Sequence, residues 1–552
     1  MLLIFLLCSV ALIARAVNLQ VMETDFLQGQ GKARHLREVT IASTRGVITD
    51  RNGEPLAVST PVDSVWVHPG ELLEYPEKIK PLAELIGANA EEIERKLTQR
   101  SGKEFVWLRR RLNPAIADEI RALNMPGVYL QKEYRRFYPA GEVTSHVIGF
   151  TNIDDVGQEG LELAYDSWLA GSPGSKRVIK DRKGQTVEEV ELIKESDPGQ
   201  DLHLSIDKRL QYLAYRELKS TVLQHGARSG SVVVLDVDSG EVLAMVNQPS
   251  YNPNDSGHDT DGMRNRAVTD VIEPGSVMKP IAVTSVLEHG IAVPTSPVET
   301  SPGYTVISGH TIRDHNNYGL LDVTGVLTKS SNVGVTQLAL QLKPEQMWDT
   351  YSRFGFGEAT GTGFPGESAG VLRNHRRWRR LEQATISYGY GVSATPLQLA
   401  QAYAAIANGG KLRQPTFILG SSNPPISAID PDIANAVAKM LETVTTVAGT
   451  GSRARVANYR IAGKTGTSHK ANASGYAASS YVSSFAGFGP ASNPRLVCVV
   501  VINDPTGKEY YGGLVAAPLF SEVMTGAMRI LNIPPDDYPA MLVDAGDNAG
   551  GQ

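Results

Sequence analysis

Cysteine is nearly missing from this chain: its 552 residues hold two, Cys8 and Cys498, a count that excludes a disulfide framework and a cysteine-built metal site. Charge of one sign is missing too. With 53 basic and 59 acidic side chains the net charge is −6, which supplies no field for a polyanion, so no nucleic-acid partner is expected. There is no internal repeat. A hydrophobic fraction of 41% with 20% charged residues fits neither a disordered chain nor a multi-span membrane protein. The length exceeds what one ordinary core accommodates and predicts two or more domains.

Long apolar runs are confined to the N-terminus, where MLLIFLLCSVALIA is uncharged up to Arg15. A spanning helix needs roughly 20 apolar residues, so the run is short for an anchor and long enough for a signal-peptide core. No basic residue precedes it, and Ala14-Arg15-Ala16 is a poor cleavage site because of its arginine. Residues 1–21 are read as an uncleaved membrane anchor whose cytoplasmic end lies outside this sequence. A cleaved signal and a buried helix are the alternatives.

From about residue 40 to 195 short β-like runs alternate with turn-rich charged pieces, as in RGVITDRNGEPLAV, where Asn52-Gly53 signals a hairpin. Helical periodicity appears in PEKIKPLAELIGANAEEIERKLTQR and NPAIADEIRALN. The basic segment GSPGSKRVIKDRKGQ reads as a solvated hairpin. The texture changes near residue 197, where a β-like run passes into an amphipathic helix. SGSVVVLDVDSGEVLAMV then reads as a hairpin about Asp238-Ser239-Gly240. RIAGKTGTS, YVSSFAGFGP and RLVCVVVIND supply three more strands near the end, followed by the helix AAPLFSEVMTGAMRIL. Strands at both ends with helices between predict an α+β domain whose first and last parts share one sheet. The expected division is a mixed α/β module over 22–196, a second domain over 197–535 and a loose tail over 536–552.

Three short motifs carry chemistry. In VIEPGSVMKP, Ser276 precedes Lys279 by three residues, which places both on one face of a helix. A serine hydroxyl is a weak nucleophile and needs a base; a lysine amine serves if its pKa is lowered. The helix start adds a positive dipole end favouring negative charge on oxygen. Ser330-Ser331-Asn332 offers a hydroxyl to relay a proton and an amide to orient a substrate, although a helix N-cap explains it equally well. Lys464-Thr465-Gly466-Thr467 lies in a β-like run; Gly466 permits close backbone approach, and the lysine with two hydroxyls can hold a carboxylate. Each motif alone is weak; a basic turn also explains the last. Their order, SxxK then SxN then KTG, is what makes the signal strong.

These motifs resemble those of β-lactamases and penicillin-binding proteins, with S-S-N here in place of the S-D-N of class A lactamases. RGVITDRNGEPLA (45–57), RRFYPAG (135–141), HVIGFTN (146–152) and GQEGLELAYD (157–166) further resemble N-terminal motifs of class B penicillin-binding proteins, which lactamases lack. RNRAVTDVIEPGS is most similar to the cell-division branch, with the elongation branch second. The resemblance implies a penicillin-binding-protein/β-lactamase-like transpeptidase domain, with an antiparallel sheet and helices, on an N-terminal pedestal or dimerisation-type module. It implies that Ser276 attacks the penultimate D-Ala carbonyl of a peptidoglycan stem peptide and forms an acyl-enzyme that a neighbouring amine resolves. Lys279 would be the base, Ser330 a proton relay and Asn332 the amide anchor. Lys464, Thr465, Gly466 and Thr467 would bind the terminal carboxylate. The backbone amides of Ser276 and Thr467 would form the oxyanion hole. No metal or organic cofactor is implied.

The implied partners are stem peptides, the lipid-linked precursor, covalent β-lactams, a membrane-embedded glycosyltransferase and other division proteins. The implied location is the bacterial inner membrane, single-pass, with the catalytic domain in the periplasm. The rivals are a D,D-carboxypeptidase or β-lactamase-like hydrolase, a β-lactam sensor and a non-catalytic divisome scaffold. Lys279 is expected to be neutral at rest, depressed by burial and by Lys464, since no histidine accompanies the motifs and His469 reads as a surface residue at a strand end.

Overall fold

The computed structural model of the chain describes residues 2–17, 36–180, 186–255, 260–472 and 475–537. Residues 18–21 of the expected anchor, the tip of the basic hairpin at 181–185, and 538–552 of the expected tail lie outside the described residues. The apolar start forms an exposed 16-residue helix, Leu2–Val17. No described helix is long and apolar enough to cross a membrane.

The second half of the chain is built on a five-stranded antiparallel sheet. Its spatial order is Val242–Gln248, Ser229–Asp236, Leu496–Asn503, Gly475–Gly489, Ala462–Asn472. Strands from the two ends of the domain are therefore neighbours, as the alternation of textures predicts. SGSVVVLD and LVCVVVIN are buried at all but their last positions because both faces of the sheet are covered. Val232, Val234, Cys498 and Val500 pack on one side with Leu210, Leu218 and Phe520 of the helices Lys208–Gln224 and Gly512–Ile530. Val233, Leu235, Val497 and Val499 face the other side, with Val277 and Ile281 of the nucleophile segment and Leu397 of Pro396–Ala407. That last helix is fixed by sequence at its start: Pro396 occupies its first turn, and Thr395 and Gln398 form a reciprocal capping box.

In the first half, the strand Pro55–Val67 pairs with Val106–Leu112 and Val128–Phe137. The Asn52-Gly53 turn forms as expected, with Gly53 at φ +84°. Helices Ile79–Ile86, Ala90–Gln99 and Pro114–Ala122 fall where the periodicity places them, the last two capped by Asn89 and Asn113. The boundary near residue 197 is not a gap in packing. Leu202–His203 pairs in parallel with Ile48–Thr49, and Ile48, Leu56, Leu161 and Leu169 belong to the same buried cluster as Leu235 and Val277. The expected tail also begins too early, because the Asp536 carboxylate accepts hydrogen bonds from the Arg460 and Ser492 backbone amides.

Three N-terminal motifs, far apart in sequence, meet at Glu162. This fully buried carboxylate accepts from Arg45 Nε at 2.6 Å and Arg136 Nε at 2.6 Å, and Arg45 also reaches Asp166 at 2.7 Å. A buried pair broken on one side leaves charge without a partner, which costs more than the intact pair contributes. Glu162→Ala removes the carboxylate shared by two buried guanidiniums and leaves Arg45 with Asp166 alone. It is expected to destabilise the protein by about 3–5 kcal/mol, read as a lowered midpoint in urea unfolding; an unchanged midpoint would mean that the cluster is relaxed by water.

Candidate active site

Ser276 sits in a single 3₁₀ turn, Gly275–Met278, that feeds the α-helix Lys279–Glu288. The sequence places it at the start of an α-helix; the tighter turn matters because residues three apart in a 3₁₀ turn eclipse one another. Lys279 Nζ accordingly lies 2.7 Å from Ser276 Oγ. Gly275 reaches the left-handed region, φ +62°, and its backbone presses on that of Gly389, where any Cβ would lie 2.1 Å from the Gly275 carbonyl oxygen. SYGYG thus supplies a glycine that lets two backbones touch behind the nucleophile.

Lys279 is fully buried, with its amine 2.8 Å from the Ser330 carbonyl, 2.7 Å from Asn332 Oδ1 and 3.1 Å from Ser330 Oγ. The Asn332 amide is oriented by its Nδ2 donating to the Arg313 carbonyl at 2.9 Å, which leaves Oδ1 towards the lysine. A neutral amine has two hydrogens and one lone pair. The Ser330 carbonyl and Asn332 Oδ1 can only accept, so they take the two hydrogens and leave the lone pair for the Ser276 hydroxyl. Burial pushes the Lys279 amine down to about 7, and the Asp314 carboxylate acts in the opposite sense. The depression expected from Lys464 is thus a burial effect. The repulsion between the two lysines is felt at Lys464, which burial first and Lys279 second hold well below the usual amine range.

Ser330 occupies the left-handed region at φ +60°, unusual for a side-chain-bearing residue. Its hydroxyl lies 2.9 Å from Lys464 Nζ and so stands between the two amines. Ser331 is the N-cap of the helix Asn332–Ala339, accepting from the Gly334 amide at 2.8 Å. The capping reading of this motif holds at Ser331, while Ser330 and Asn332 on either side of it turn to the lysine amines.

The strand Ala462–Asn472 carries the third motif beside the nucleophile turn. Thr465 and Thr467 face the cleft together with Ser276, Ser330 and Asn332 around a cavity of about 380 Å³. Thr467 Oγ1 accepts from the Gly512 amide at 2.9 Å, which leaves its own proton free to donate. Gly466 is required for an internal reason: a Cβ there would meet Ser484 Oγ at 2.2 Å and the Pro274 carbonyl at 2.9 Å. Its bareness accommodates the turn that carries Ser276. His469 is neither at a strand end nor fully exposed: the strand continues to Asn472, and the ring lies tilted against Tyr481 with centroids 4.6 Å apart.

Several residues of the site have no local sequence signature. Asp314 accepts from Ser331 Oγ and the Asn332 amide, both at 2.5 Å, and from the Val333 amide at 3.0 Å, fixing the segment that carries Ser330 and Asn332. His315 lines the cleft and packs edge-on against Tyr511 at 5.4 Å, so a histidine does accompany the motifs. Tyr388 and Tyr390 complete the wall. RDHNNYG reads as an ordinary polar turn, and only its approach to the Ser330 segment gives it a part.

A buried lysine against an accessible serine, a second lysine across a shared hydroxyl and a hydroxyl-lined strand define the class of active-site serine acyl-transfer enzymes. Residues 230–525 match the penicillin binding protein transpeptidase domain, and residues 40–204 match the penicillin-binding protein dimerisation domain. The chain is 44% identical to the peptidoglycan D,D-transpeptidase FtsI of Escherichia coli, over 99% of this chain and 95% of that one. It is 42% identical to the probable peptidoglycan D,D-transpeptidase PenA of Neisseria gonorrhoeae, over 95% and 91% respectively. Among solved structures it is similar to penicillin binding protein 3 of Mycobacterium tuberculosis complexed with aztreonam, with TM-score 0.70 and 28% identity over 90% of this chain and 98% of that one. The chain belongs to the class B penicillin-binding proteins, the peptidoglycan D,D-transpeptidases with an N-terminal dimerisation-type module.

Proposed function

We propose that Ser276 is the nucleophile of a D-Ala-D-Ala transpeptidation that cross-links stem peptides during septal wall synthesis. The observation that carries this reading is the 2.7 Å approach of a buried, depressed amine to the Ser276 hydroxyl. Lys279 takes the hydroxyl proton as Oγ attacks the penultimate D-Ala carbonyl. The backbone amides of Ser276 and Thr467 hold the oxygen that becomes negative. Ser330, bridging the two amines, passes a proton to the departing nitrogen of the terminal D-Ala. Asn332 orients the donor's amide, and Lys464, Thr465 and Thr467 bind the terminal carboxylate, whose charge favours protonation of Lys464. The amine of a neighbouring stem then attacks the ester, and Ser276 leaves with its proton restored.

The module over 22–196 carries none of the three motifs, and its role is to position the enzyme and dock partners. These include a membrane-embedded glycosyltransferase, other division proteins and the lipid-linked precursor. The helix Leu2–Val17, with the residues that follow it, serves as part of an inner-membrane anchor that leaves the catalytic domain in the periplasm. The test of the nucleophile is peptide mapping after β-lactam treatment: one adduct, on the peptide containing Ser276. An adduct elsewhere would overturn the mechanism.

The state of Lys279 sets a pH dependence. Its amine accepts a proton only when neutral, so activity is lost as pH falls through about 7 and is fully present above it. The acylation rate constant for a penicillin is expected to rise about tenfold from pH 6 to pH 8 and then level off. A flat profile across that range in stopped-flow acylation would show that another group is the base.

A further inference from the structure

The near-neutral net charge conceals one strongly basic place. In LRNHRRWRRLE, the arginines Arg373, Arg376, Arg377, Arg379 and Arg380 fall within eight residues, and all five are exposed. None makes an ion pair with a described carboxylate. The segment is held in a fixed shape. Trp378 packs against the main core, its Nε1 donates to the Arg373 carbonyl at 2.9 Å, and His375 lies 5.6 Å from the Trp348 ring. Two aromatic rings thus anchor a turn that displays its charges outward.

The fold's local electrostatics oppose this arrangement, with Glu382 in the first turn of the following helix the one carboxylate of that helix beside it. Arg379 is the N-cap and Arg380 the first residue of the helix Arg380–Ser387, so two cations stand at the positive end of a helix dipole. Five like charges this close also repel one another. Departures from local rules concentrate at functional sites. The helix gives the direction: eight residues span about 12 Å, and the residue that ends it, Tyr388, lines the cleft with Ser276.

We infer that the arginine turn 373–380 is an accessory binding surface for the carboxylates of peptidoglycan stem peptides, holding the polymer beside the cleft that one of its stems enters. The inference rests on the transpeptidase reading above. It favours the enzyme's own anionic substrate over a membrane surface because the patch lies one short helix from the cleft. Binding of this kind is electrostatic and screened by salt.

The experiment uses the full chain with its five arginines changed to glutamine, R373Q/R376Q/R377Q/R379Q/R380Q, and a second variant with all five changed to lysine. Retention on purified peptidoglycan is measured at low and high salt. The parent is expected to bind in low salt and release in high salt. The glutamine variant should bind at least tenfold more weakly, and the lysine variant should retain most of the binding. Amidating the stem carboxylates should abolish retention of the parent. Labelling of Ser276 by a fluorescent penicillin, run on every variant, reports the cleft and the fold separately; its failure in the parent would sink the transpeptidase reading, whatever the patch does. Equal retention of the parent and glutamine variants would overturn the inference. So would undiminished binding to the amidated polymer, or binding to anionic phospholipid vesicles or an acidic polypeptide with none to peptidoglycan.

Discussion

Ser276→Ala is expected to yield a folded protein that takes up no β-lactam. The hydroxyl lies 2.7 Å from Lys279 Nζ, and Ser276 is the partly accessible member of a turn whose neighbours Gly275, Val277 and Met278 are buried. Ser330 does not substitute for it. Its hydroxyl lies between two amines and its backbone is held in the left-handed region. Intact-mass spectrometry should therefore show one adduct in the parent and none in the variant, with cross-linking of stem peptides lost entirely. A thermal midpoint within a few degrees of the parent confirms that the fold survives, since the change removes one half-buried oxygen. An adduct persisting in Ser276→Ala would assign the nucleophile to another residue.

Lys279→Arg is expected to slow acylation by about 10²–10⁴-fold, the range that a positioned general base contributes. Arginine preserves positive charge and hydrogen-bond donors but is effectively always protonated, so it has no lone pair for the Ser276 proton. The substitution also forces a larger planar group into a fully buried site, at a cost of roughly 1–3 kcal/mol for overpacking. Lys279→Met, close to lysine in shape and uncharged, separates the two effects: it should fold well and acylate as slowly as the arginine variant. Stopped-flow acylation of both, beside their melting curves, decides the matter. A near-parent rate in either would assign the base to Ser330 or to water.

How much of this was legible in advance varies with the range of the interaction concerned. SxxK is a local motif, and three-residue spacing puts its two side chains on one face of any helical turn, although only the 3₁₀ turn makes them eclipse. The SGSVVVLD and LVCVVVIN strands were legible because runs of β-branched residues mark strands covered on both faces, and Cys498 was correctly placed in one of them. The Asn52-Gly53 hairpin was likewise local chemistry. Asp314 and His315 were not legible, because nothing within a few residues of RDHNNYG requires a carboxylate; the requirement comes from the start of the helix Asn332–Ala339. The crowding that Gly466 relieves inside the fold was not legible either, since it comes from Ser484 and Pro274, distant in sequence.

The sequence by itself determined which residue types the chemistry uses, the order of the three motifs and the alternation of strands and helices that makes an α+β domain. It also supplied the N-terminal motifs that separate this family from the lactamases. Tertiary structure decided what those groups are. It depressed the Lys279 amine by burying it among acceptors, set Ser330 between two amines, and drew Arg45, Arg136 and Glu162 into one buried cluster. The reason is physical: side-chain identity and spacing are local properties of the chain, whereas an amine's pKa and a carboxylate's partners depend on the dielectric and the charges that distant segments bring within a few ångströms.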